Sequence, residues 1–291
     1  MFKGCMVALV TPMDEVGDVD YDKVINLVDF HLQQGTDGFV LVGTTGEGET
    51  LNHEEHKHLV QYVVREVAGR VPVIAGTGAT ATNNAITLTK AAMEMGADAC
   101  LLLTPGYIKP TQEGLFQHYK AISEAVAIPQ IIYNNPGRTA CDILPETVAR
   151  LAEFPNIIGL KESTGQLDRA KKVLALCGDK LDVYSGVDAI NREMVLAGGK
   201  GAISVTANVA PRLMHEMIHA ALAGDQVLAE SIDAKLAALH EKLFIESNPI
   251  PVKWAMMKMG LISSGIRLPL TSLSEQYCAD VLAAMKQAGI E

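Results

Sequence analysis

The chain carries eight short apolar runs, many of them β-branched, at residues 6–10, 38–42, 71–75, 99–103, 130–133, 157–160, 182–184 and 201–205. Within each run the apolar character is nearly continuous rather than alternating, which is what a strand covered on both faces requires. Between runs, residues return at the spacing of one helical face, as in Val24, Leu27, Val28, His31 and Leu32, or Leu59, Tyr62, Val63, Glu66 and Val67. Every gap is long enough for a helical crossover to the next parallel strand. Eight such units predict an α/β fold of the closed (β/α)8 barrel, or TIM barrel, type. A doubly wound dinucleotide fold would have about six strands and a G-x-G-x-x-G after the first; here the first run closes on Thr11-Pro12-Met13-Asp14. Beyond residue 211 no ninth run occurs, and the pattern is helical, punctuated at Gly224, Asn248-Pro249, Pro251 and Pro269. The expected organisation is a barrel catalytic domain over residues 1–224 with a C-terminal helical region over 225–291.

Composition and charge narrow the function classes. Of 291 residues, 48% are hydrophobic and 20% charged, which excludes a disordered chain. With 24 basic against 34 acidic residues and a formal charge of −10, the chain has no basic run to neutralise phosphates, so nucleic acid is not an expected partner. No apolar stretch nears the roughly 20 residues of a bilayer span, so no membrane partner is expected. Lys3 ahead of the first run faintly resembles a signal peptide, but Pro12 and Asp14-Glu15 stand where a cleavage site belongs. Cys5, Cys100, Cys141, Cys177 and Cys278 are odd in number, scattered and without a C-x-x-C pair. Free thiols in the cytoplasm are expected.

In a barrel of this kind chemistry gathers where strands end at their C-terminal edge. The second run closes with Gly43-Thr44-Thr45-Gly46-Glu47-Gly48, the fourth with Thr104-Pro105-Gly106-Tyr107, the fifth with Tyr133-Asn134-Asn135-Pro136-Gly137-Arg138 and the sixth with Lys161-Glu162-Ser163. A lysine emerging into a barrel mouth is partly desolvated, which favours the neutral amine, a nucleophile toward carbonyls; the same lysine could instead reach solvent or pair with Glu162. Tyr133 could carry protons for a carbinolamine, with Thr44 as a hydroxyl relay, or simply be a satisfied interior tyrosine. Arg138 suits a substrate carboxylate or a surface ion pair. The Gly43 to Gly46 loop could hold a carboxylate as an anion nest, and it lacks the Lys-Ser/Thr of a P-loop. His53 and His56 stand at i and i+3, not at the i and i+4 of H-E-x-x-H, so no metal site is expected there.

Together these motifs, with Val73-Ile74-Ala75-Gly76-Thr77-Gly78 and Asn248-Pro249-Ile250-Pro251-Val252-Lys253, resemble the dihydrodipicolinate synthase family of Schiff-base pyruvate-dependent lyases end to end. The Arg138-Thr139 pair after Asn-x-Pro-x is similar to the synthase rather than to its sugar-acid relatives. The resemblance implies that Lys161 forms an imine with pyruvate and that Thr44 and Thr45 hold its carboxylate. It implies a proton relay of Tyr133, Thr44 and Tyr107, the last from a neighbouring subunit of a homotetramer. Arg138 would bind L-aspartate 4-semialdehyde, Ile203 would offer backbone near the lysine, and Gly186 would belong to the substrate site. No cofactor and no metal are implied. Alternatives are a sister lyase acting on a 2-keto-3-deoxy sugar acid or N-acetylneuraminate, and a barrel that binds a small acid without turnover.

The resemblance also implies an effector site for L-lysine at Gly48, Glu49, His53, His56, Thr80, Asn84 and Gly106. The two histidines match lysine-sensitive members. Those members usually carry a small pair such as Ser-Ala at positions 48 and 49, asparagine at 80, glutamate at 84 and tyrosine at 106. Little or no inhibition is expected, because Asn84 removes an anion and Gly106 an aromatic wall.

Overall fold

The computed structural model describes residues 2–290. The elements in chain order are β1 (Gly4–Ala8), α1 (Tyr21–Gln33), β2 (Gly38–Leu41), α2 (His53–Val67), β3 (Val73–Gly76), α3 (Thr82–Glu94), β4 (Ala99–Leu103), α4 (Gln112–Ala125) and β5 (Gln130–Asn134). Two short helices, α5 (Pro136–Thr139) and α6 (Pro145–Leu151), precede β6 (Ile157–Glu162), α7 (Leu167–Cys177), β7 (Asp182–Ser185), α8 (Asn191–Leu196) and β8 (Gly201–Ser204). Helices α9 (Pro211–Leu222), α10 (Gln226–Lys242), α11 (Ile250–Lys258) and α12 (Glu275–Gln287) complete the chain. The eight strands are parallel neighbours in sequence order, and β8 closes on β1. The expected barrel fold is therefore the observed one. Among the described residues no helix is long and apolar enough to cross a membrane.

Strand alternation sorts the apolar residues into two layers. Met6, Ala8, Val40, Ile74, Ala99, Leu101, Ile131, Tyr133, Tyr184 and Ile203 fill the barrel interior. Their strand neighbours, such as Cys5, Val7, Phe39, Leu41 and Val73, face the helices. Gly159 makes room inside, since a Cβ there would come within 2.9 Å of the Tyr184 ring. Val24, Leu27, Val28 and His31 are the buried face of α1, as their spacing predicts.

Most strand limits differ by one or two residues from the sequence reading, and two of the differences matter at the mouth. β1 ends at Ala8 rather than residue 10, because the Val10 N–H donates to the Asn208 side chain (3.1 Å) instead of to a strand. β6 runs on through Lys161 and Glu162, so the lysine lies within the ladder and not after it.

Candidate active site

Lys161 and Tyr133 are register partners on β6 and β5, both pointing into the barrel near its C-terminal mouth. Each is 6% exposed. Lys161 Nζ lies 4.2 Å from the centre of the Tyr133 ring. Glu162, one residue on, faces the opposite side of the sheet, where Arg169 Nε donates to it at 3.0 Å and the Thr164 N–H at 2.8 Å. The carboxylate that could have neutralised Lys161 thus belongs to another cation. The Tyr133 hydroxyl accepts from Asn135 Nδ2 at 2.9 Å. Burial alone would raise its pKa, but the Lys161 charge, the Asn135 hydrogen bond, the nearby Ser163 hydroxyl and the Arg138 charge together bring it below its ordinary value.

The lysine stem is closely fitted. A Cβ at Gly186 would overlap Ser163 Oγ and come within 2.8 Å of Lys161 Cε, so only glycine leaves both side chains their positions. Gly186 is a neighbour of the lysine stem, and Ile203, 1% exposed, packs in the same interior layer. Ser163 Oγ is buried near the Tyr133 hydroxyl.

The glycine-rich loop after β2 is fastened from a distance in sequence. Thr45 Oγ1 accepts from Asn248 Nδ2 at 3.0 Å, which leaves its own proton free to donate. The Asn248 carbonyl accepts from the Arg138 guanidinium at 3.0 Å. Glu47 and Lys253 form a buried ion pair, with side chains 0% and 5% exposed. Burial pushes the Lys253 ammonium below its ordinary range, and Glu47 opposes that. Arg267 adds a second clasp, binding Glu55 with both terminal guanidinium nitrogens and donating to the Thr50 carbonyl at 2.8 Å. Two motifs some 200 residues apart are thereby one structure.

The model of the dihydrodipicolinate synthetase family matches residues 1–288. Proteins named 4-hydroxy-tetrahydrodipicolinate synthase from Thioalkalivibrio sulfidiphilus and Methylococcus capsulatus are 60% and 59% identical, each over 290 residues that make up 100% of this chain and 99% and 100% of the relatives. The chain belongs to the dihydrodipicolinate synthetase family. A solved structure of the chloride-inhibited dihydrodipicolinate synthase from Acinetobacter baumannii, complexed with pyruvate, superposes with a TM-score of 0.99 at 52% identity, covering 100% of both chains.

Of the other residues singled out in the sequence, Thr44 lines a cavity of about 650 Å³ together with Tyr133, Gly48, Glu49, His53, His56, Thr80 and Asn84. Gly106 is not part of that lining and sits against Thr139 instead. His56 shares a hydrogen bond with the Gly76 carbonyl (2.9 Å), and burial lowers its pKa. Tyr107 does not meet Tyr133. Its left-handed backbone (φ 68°) leaves the side chain 93% exposed on this chain's surface. Asn135, Ser163, Asn248 and Lys253 carried no assigned role in the sequence reading. The Asn-Pro motifs containing Asn135 and Asn248 were the only signal that could have drawn attention to two of them.

Proposed function

We propose that this protein condenses pyruvate with L-aspartate 4-semialdehyde to give 4-hydroxy-tetrahydrodipicolinate, with Lys161 as the imine-forming nucleophile. The observation that carries the reading is the buried pairing of Lys161 with Tyr133 across β5 and β6. The Lys161 amine adds to the pyruvate ketone, and the carbinolamine loses water to form the imine. Removal of a methyl proton gives an enamine whose carbon attacks the aldehyde. The semialdehyde amine then displaces the lysine as the ring closes. Tyr133, with its lowered pKa, is placed to take and return the protons these steps need. Thr44 and Thr45 are assigned to the pyruvate carboxylate, for which Thr45 keeps a free proton.

Arg138 is assigned to the carboxylate of the second substrate, because it is exposed at the rim and tied to Asn248 rather than to an acid. Losing a charge-assisted contact costs about 1.5–3 kcal/mol, or ten- to a hundredfold in apparent affinity. Arg138→Ala should therefore raise the semialdehyde KM by that factor and leave pyruvate capture detectable. A coupled assay with pyruvate plus the semialdehyde, run beside pyruvate plus N-acetylmannosamine, tests the reaction itself. Turnover with only the second pair would assign the chain to the sister lyases.

The exposed Tyr107 and the open cavity beside it support a second copy covering this face, in a homotetramer in which Tyr107 completes a neighbour's proton relay. Sedimentation equilibrium at assay concentration should show no active monomer. Asn84 lines the cavity where lysine-sensitive members carry a glutamate, so the effector's ammonium lacks that anion. Titration with L-lysine should give half-inhibition above about 1 mM, if any.

A further inference from the structure

We propose that Asp37, His215 and His219 bind one divalent transition-metal ion of the zinc class at the base of the barrel, on the face opposite Lys161. Asp37 stands just before β2, at the N-terminal edge of the sheet. His215 and His219 are i and i+4 on α9, so both rings leave the same helical face. Their ring centres are 4.1 Å apart. His215 Nδ1 lies 3.0 Å from Asp37 Oδ2, and His219 Nε2 lies 3.0 and 3.1 Å from the two carboxylate oxygens. All three donor atoms fall within 4.8 Å of one another.

These distances are close to those of a coordination shell. Ligands at about 2.0–2.1 Å from a tetrahedral ion sit about 3.3 Å from each other, so the two carboxylate–imidazole separations need open by only a few tenths of an ångström to admit an ion. A single divalent ion would satisfy all three donor atoms at once. Two imidazoles with one carboxylate select zinc, cobalt, nickel or copper over magnesium or calcium, which prefer oxygen.

The site is supported from behind and open in front. The Cys5 N–H donates to Asp37 Oδ2 at 2.7 Å, the outer contact that orients a ligating carboxylate. Gly4 leaves the room for it, since a Cβ there would overlap the Asp37 side chain. The His219, His215 and Asp37 side chains are 48%, 30% and 18% exposed, so an ion and a water in the fourth position have access. A bound ion would tie α9 to the strands β1 and β2 at the closure of the barrel, remote from the reaction.

Tag-free protein titrated with Co2+ and followed by visible absorption, and with Zn2+ by calorimetry, should bind one ion per chain and gain thermal stability with ion concentration. His219→Ala and His215→Ala should each weaken Zn2+ binding at least tenfold, while turnover without added metal stays at the parent value. His58→Ala, on α2 and outside the three-donor group, should bind as the parent does. In the parent, Cu2+ should show an EPR spectrum with coupling to two imidazole nitrogens, a readout that does not depend on any variant folding. A spectrum without nitrogen coupling, or binding unchanged in the His215→Ala/His219→Ala double variant, overturns the proposal.

Discussion

Lys161→Ala is expected to abolish covalent capture of pyruvate and to lower kcat by roughly a thousandfold or more, because removing a nucleophile forfeits the two-step path rather than one contact. Lys161 is held between Tyr133 and Tyr184 in the strand register, above the interior layer, with Gly186 beside its stem. Borohydride reduction of the parent in the presence of pyruvate should leave an adduct on the peptide containing residue 161, and the variant should give none while keeping its secondary structure. An adduct on a different lysine, or near-parental turnover by the variant, would remove Lys161 from the mechanism.

The second large effect is on stability. Glu47 and Lys253 are both shielded from water, and removing one partner of a buried pair leaves an uncompensated charge, at a cost of about 3–5 kcal/mol. Lys253→Met should therefore shift the urea midpoint strongly. Glu47→Gln should cost less, since the Lys253 ammonium, already pushed down by burial, can shed its proton. The double variant should recover much of the Lys253→Met loss, because no charge is then left buried. The pair also fixes the loop that carries Thr44 and Thr45 to the segment bearing Asn248, so Lys253→Met should raise the pyruvate KM as well. Single variants within about 1 kcal/mol of the parent would mean that the pair is solvated in solution.

The barrel was legible before any coordinates because burial on both faces leaves a one-dimensional trace, eight continuous apolar runs separated by helix-length gaps. The positions of Lys161, Tyr133 and Arg138 at the mouth were legible for a related reason: in this fold the mouth is wherever an apolar run gives way to polar residues. What the sequence determined by itself is thus the local periodicity and the chemistry available at each strand end. The tertiary structure alone decided which groups meet. Whether Lys161 paired with Glu162 depended on strand alternation and on Arg169, seven residues beyond Glu162 and on a different element. The fastening of Thr45 by Asn248 and of Glu47 by Lys253 joins positions separated by 203 and 206 residues. His53 and His56, where no metal site was expected, are in no three-donor group found among the described residues, whereas His215 and His219 meet a carboxylate 178 residues from His215. Such pairs leave no periodic signal, because closing the barrel brings them together in space without any regular spacing along the chain.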